Sequence, residues 1–122
     1  MVKKLPDTEL EVMQALWACT PPATRMDMEV FLSASHPMAP TTLLTLLSRL
    51  AEKEFVKIEK EGRITHYVPL VSREEYLASQ SRRFIDQLCG GSISAFASAL
   101  CHSGISKEEL EELRRILERD TK

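Results

Sequence analysis

Between Lys53 and Val56 the spacing of apolar residues changes its period, and that change limits the folds open to the chain. Before it, Leu43, Leu46, Leu47 and Leu50 recur at i, i+3, i+4 and i+7, one stripe of a helix that must be buried. After it, Val56 and Ile58 alternate with Lys57 and Glu59, and Ile64, His66 and Val68 alternate with Thr65 and Tyr67, which is the period of strands. Lys60-Glu61-Gly62-Arg63 lies between the two runs as a turn in which Gly62 can take positive φ. A helix running into a β-hairpin is predicted here.

Two more helices precede this one. Asp7, Glu9 and Glu11 crowd a helix start, where they offset the dipole, and Thr8 with Glu11 is spaced as a capping box. Leu10, Met13, Leu16 and Trp17 form its apolar face, and it ends near Cys19, before Thr20-Pro21-Pro22. Thr24 with Asp27 opens a second helix to about Ala34, expected to pack through Met28, Phe31 and Leu32 and stopped by Ser35-His36-Pro37. Pro40 suits the first position of the third helix.

The third helix is unusual on its outer side. Thr41, Thr42, Leu44, Thr45 and Ser48, with Arg49 on the flank, stand where exposed helix positions normally carry Glu, Lys or Gln. Short hydroxyls let a backbone come close to another molecule and can hydrogen-bond base edges or phosphates, and an apolar tip can meet a thymine methyl. An ordinary amphipathic helix rich in Thr would read the same way in isolation. Three helices followed by a hairpin weigh against that reading, because the order matches a winged helix-turn-helix, with the third helix in the major groove and Lys60 and Arg63 at the wing tip beside the backbone.

Leu70-Val71 is read as the edge of this domain. Ser72 with Glu75 caps a long helix to about Cys89, with Leu77, Phe84, Ile85 and Leu88 on its apolar side, and Gly90-Gly91 breaks it. A short helix from Ser92 or Ser94 carries Ile93, Phe96, Ala97 and Leu100. Gly104 ends it, and Ser106 with Glu109 caps a last helix presenting Leu110, Leu113, Ile116 and Leu117. About fifty residues in three short helices cannot close a core around three apolar stripes. The simplest remedy is a second copy, which would bury Leu77, Phe84, Leu88, Phe96, Leu100, Leu110, Leu113 and Leu117 in an isologous dimer; packing back onto the first domain is the competing arrangement.

The expected architecture is therefore mainly α with a small β-hairpin: a winged helix-turn-helix domain over 1–71 and a three-helix dimerisation domain over 72–122. Composition agrees with a globular chain, 43% apolar and 28% charged over 122 residues. The net charge of −2 speaks against a nucleic-acid partner. Each half carries eight basic and nine acidic residues, so neither is a basic domain. Phosphate contacts would fall to Arg49, Lys53, Lys57, Lys60 and Arg63, and weak half-sites would have to add through dimerisation.

No run approaches the roughly 18 apolar residues of a membrane span, and Lys3-Lys4 leads into Leu5-Pro6 and an acidic helix, so a cytoplasmic location and no membrane partner are expected. Cys19, Cys89 and Cys101 lack a C-x-x-C spacing and are read as small, mostly buried hydrophobes. Cys101-His102, His36 and His66 lack the close spacing of a metal site, and no cofactor is expected. No glycine-framed nucleophile, phosphate loop or carboxylate pair suggests an enzyme. The remaining alternative is a winged-helix module that binds protein and not DNA, which would be insensitive to salt where phosphate binding is steeply sensitive.

The chain resembles the penicillinase-repressor family, bacterial winged-helix regulators that include the repressors of β-lactamase and methicillin-resistance genes. The likeness covers nearly the whole chain and is carried by Asp7-Thr-Glu-Leu-Glu-Val-Met with Trp17, Ala39-Pro-Thr-Thr with Leu47-Ser-Arg-Leu, Glu61-Gly-Arg with Tyr67, and Phe84 through Gly91. It implies a homodimeric repressor on a palindromic double-stranded operator, with DNA reading at Thr41, Thr42, Thr45, Ser48 and Arg49, a wing contact at Arg63 and a dimer core from Ser72 onward. It also implies a sensor-linked protease as a partner. Members that respond to β-lactams are cut between Asn and Phe, where this chain has Ala99-Leu100. Members often carry Lys in place of Thr41 and Gly in place of Glu54, and the copper-responsive branch has Cys-x-Cys pairs that are missing here.

Overall fold

Pro6 has the fixed φ that starts a helix, and in the computed structural model, which describes residues 2–120, it is the N-cap of α1 (Asp7–Ala18). The expected Thr8–Glu11 box does not form, because Thr8 already lies inside the helix and no side chain caps its start. α2 (Arg25–Ser35) opens with the Thr24–Asp27 box, each side chain accepting from the other's backbone N–H. α3 (Pro40–Glu52) has Pro40 at its first turn, and Leu43, Leu46, Leu47 and Leu50 are buried on its inner side. These four pack with Val12, Met13 and Leu16 of α1 and Met28 and Leu32 of α2 in one apolar core.

β1 (Val56–Glu61) and β2 (Ile64–Pro69) pair antiparallel, Val56 opposite Pro69 and Glu61 opposite Ile64. The loop is thus two residues, Gly62 and Arg63. Gly62 has φ +65 and Arg63 has negative φ, the type II′ pattern, with the glycine at its first central position. Ile58 faces the same side as its partner Tyr67, and that side meets the core at its base, where Val56 and Tyr67 are buried. The run Ile64, His66, Val68 lies on the other side among Lys57, Glu59 and Glu61, and Ile64 is 53% exposed. Ala23 adds a third edge by exchanging two backbone hydrogen bonds with Tyr67, at 3.1 and 2.7 Å.

The join between α3 and β1 is a Schellman turn: Phe55 N–H donates to the Leu50 carbonyl at 2.9 Å and Glu54 N–H to the Ala51 carbonyl at 3.0 Å. Glu54 occupies the left-handed position, φ +64, the one non-glycine residue to do so among the described residues. A side chain there costs about 1–2 kcal/mol, and glycine would lose part of that relief to its looser unfolded chain. Glu54→Gly is expected to raise stability by about 0.5 kcal/mol in urea denaturation; a loss would mean that the Glu54 side chain has a stabilising role of its own.

The chain divides into two compact units between Gln80 and Ser81, within α4 (Arg73–Gln87) and not at Leu70-Val71 where the sequence reading set the edge. The reason is Tyr76. It is buried, its hydroxyl accepts the Leu5 N–H at 2.9 Å, and its ring meets Trp17 and Phe55 at 5.8 and 6.0 Å. Trp17 Nε1–H in turn donates to the Val71 carbonyl at 2.9 Å. The first half of α4, capped by the Ser72–Glu75 box, therefore belongs to the first unit.

In the second unit, α5 (Ile93–Cys101) is capped by Ser92, and α6 (Lys107–Asp120) by the Ser106–Glu109 box. Its hydrogen bonds with Ser106 hold the exposed Glu109 carboxyl below its usual range, so the carboxylate half of the cap is fully present above that range and is lost as pH falls below it, through the lowered value. No residue of α5 or α6 is buried.

Candidate nucleic-acid interface

The amphipathic stripe that buries four leucines turns the other side of α3 outward. Thr41, Thr42, Leu44, Thr45, Ser48 and Arg49 are all exposed, Leu44 to 43%. Thr45 Oγ1 donates to the Thr41 carbonyl at 3.0 Å, so its hydroxyl proton is held by the helix and its lone pairs and methyl face out. The first turn has neither an acidic residue nor a side-chain cap, in contrast to α1, α2, α4 and α6, whose first turns carry acids. The positive end of the α3 dipole is left uncompensated on this face.

The basic residues sort into two groups. Lys53, expected from the sequence to reach phosphate, bonds Glu9 Oε1 at 2.6 Å; Glu9 is a buried carboxylate on α1, and this pair was not legible in the sequence. Lys57 lies 3.5 Å from Glu59, and Arg25 lies 2.7 Å from Glu29. Arg49, Lys60 and Arg63 enter no ion pair among the described residues, and all three are exposed. Of the five cations expected at phosphate, the ones left uncommitted are thus one on α3 and two at the wing, which places free positive charge on this face in a chain of negative net charge.

Other sequence expectations change. Phe31 is 45% exposed, because α2 meets the core through Met28 and Leu32 and turns Phe31 to the edge of that stripe. Cys19 is buried and Cys89 half-buried, but Cys101 is exposed, since α5 buries no residue. Burial pushes the Cys19 thiol up, with Asp27 adding to the shift, so it stays protonated. Burial likewise raises the Tyr67 phenol, opposed by Arg25. Among the described residues no three His, Cys, Asp or Glu side chains gather as a metal site would need, and no helix is long and apolar enough to cross a membrane.

The residues expected at a dimer contact are placed unevenly. Leu77 lies in the first unit and is 47% exposed. In the second unit Phe84 packs edge-on against Phe96 with centroids 5.9 Å apart, Leu88 and Leu117 are exposed, and Leu100, Leu110 and Leu113 are half-buried.

Three helices, a two-stranded wing and an outward third helix faced with short hydroxyls and one arginine define a winged helix-turn-helix DNA-binding protein. A family model described as "Penicillinase repressor" matches residues 5–119, and the chain belongs to that family. It is 32% identical over 121 residues to the penicillinase repressor of Bacillus licheniformis, covering 96% of this chain and 94% of that one. It is 34% identical over 117 residues to the transcriptional regulator BlaI of Mycobacterium tuberculosis, covering 93% and 83%. A solution structure of Bacillus licheniformis BlaI in monomeric form with the blaP half-operator matches with a TM-score of 0.51 at 30% identity, over 62% of this chain and 92% of that one.

Proposed function

We propose that the chain represses transcription as a homodimer, each copy laying α3 in the major groove of one half of a palindromic operator and setting the wing turn on the adjacent backbone. The observation that carries this is the outer face of α3, where six exposed positions hold three Thr, one Ser, one Leu and an unpaired Arg. The repressors it is similar to, one of them bound to a half-operator, support the same reading. The homodimer rests on the second unit, where the leucines of α5 and α6 are left at least partly in water. The chain acts in the cytoplasm, where its operator lies. A sensor-linked protease is a further partner in this reading. Ala99-Leu100 lies inside α5, so a cut there requires that helix to open first.

The test is binding to DNA from upstream of the chain's own coding sequence, against random duplex, over a range of salt. Affinity should fall steeply as salt rises and the upstream fragment should be preferred. Binding of neither duplex would leave the protein-binding module in its place. Arg63→Ala should weaken binding to every sequence and flatten the slope of log Kd on log salt by about 1, one phosphate contact. An unchanged slope would take the wing out of the interface.

A further inference from the structure

Beside the α3 face lies a hollow between the start of α2, the middle of α3 and the wing, lined by Arg25, Met26, Leu44, Arg63, Ile64 and Thr65 among others. Three of these are large apolar side chains left in water, Met26 at 67%, Leu44 at 43% and Ile64 at 53%. They come from three different elements and converge on one place. That is the mark of a contact surface, since apolar side chains exposed singly need no explanation. The hollow is continuous with the proposed DNA face, because Leu44 belongs to both. It holds a cation without an ion pair, Arg63, and a hydroxyl, Thr65.

We infer that this hollow takes the sugar-phosphate backbone of one DNA strand: the apolar faces of the deoxyriboses pack on Met26, Leu44 and Ile64, and a phosphate meets Arg63. With α3 inserted in a groove, what enters a recess at its side is the strand bordering that groove. A deoxyribose offers C–H surface and its phosphate a charge, which matches an apolar floor with an arginine at its rim. The apolar part of this contact, unlike the Arg63–phosphate pair, releases no counterions. It supplies affinity that salt does not screen, in a chain whose net charge of −2 leaves little electrostatic attraction.

This rests on the DNA-binding reading, and the two can fail separately. The full-length chain first selects duplexes from a random-sequence pool, and the selected duplex then serves as the probe. Met26→Ser with Ile64→Ser should raise Kd about tenfold on selected and random duplex alike, with the salt slope of the wild type. Ile64→Leu should keep most of the affinity. A wing that had merely lost its shape would also lose the Arg63 contact and flatten the slope, so an unchanged slope separates contact from folding. Wild-type affinity in the double variant overturns the inference and leaves repression intact. A loss that disappears when the thymines of the probe are replaced by uracils also overturns it, because the side chains would then be reading methyl groups. A wild-type chain that binds no duplex removes both readings.

Discussion

Leu113→Asp should leave the chain monomeric in sedimentation and weaken operator binding by about 10²- to 10⁴-fold, the gain that a second linked site confers. Leu113 is half-buried on α6, and a carboxylate there must either stay in water or enter an apolar interface at a cost no dimer contact recovers. Helix content should be little changed, because α6 keeps its Ser106–Glu109 box and its Arg114 pairs with Glu111 and Glu118. Residual binding to a half-site should match that of one wild-type copy. A dimer that survives the substitution would put the interface on another surface.

Removing the Lys53 ammonium has the second large effect. Glu9 is 4% exposed and Lys53 Nζ is 2.6 Å from its Oε1, so Lys53→Ala leaves a buried carboxylate with no cation. Loss of one partner of a buried pair costs about 3–5 kcal/mol. The Lys53 side chain is 31% exposed, and water entering there reduces the expected loss to about 2 kcal/mol. Glu9→Gln should cost less, because a freed Lys53 can turn its charge to solvent. Urea denaturation of the two variants measures the asymmetry, and equal losses would mean the carboxylate is not the buried partner. In DNA binding Lys53→Ala should keep the wild-type salt slope. A slope flattened by about 1 would show that the pair opens to give Lys53 to a phosphate.

Pairs of this kind explain where reading the residues in order succeeds and where it stops. The helices from Asp7, Arg25 and Pro40 and the hairpin around Gly62 follow from periods of 3.6 and 2 and from turn residues, all of which act over a few positions. The three boxes at Thr24, Ser72 and Ser106 are legible for the same reason, a side chain reaching its own backbone three residues on. Thr8 and Glu11 have the same spacing and make no box, because Pro6 had already begun the helix. The outer face of α3 could be listed from sequence, since burying Leu43, Leu46, Leu47 and Leu50 leaves only one side for Thr45 and Ser48.

By itself the sequence determined the elements, their caps, the family and the outer α3 face of short hydroxyls with Leu44 and Arg49, because each depends on neighbours within a turn or on a pattern along the whole chain. Only the tertiary structure decided which cations stay available, where α4 changes allegiance and which apolar side chains converge beside the wing. Glu9 meets Lys53, Leu5 meets Tyr76, and Met26 shares a hollow with Ile64 across separations that no local period encodes. Those partners are chosen by how helices and hairpin pack around the shared core, where a polar group removed from water must find whatever complementary group the packing brings to it.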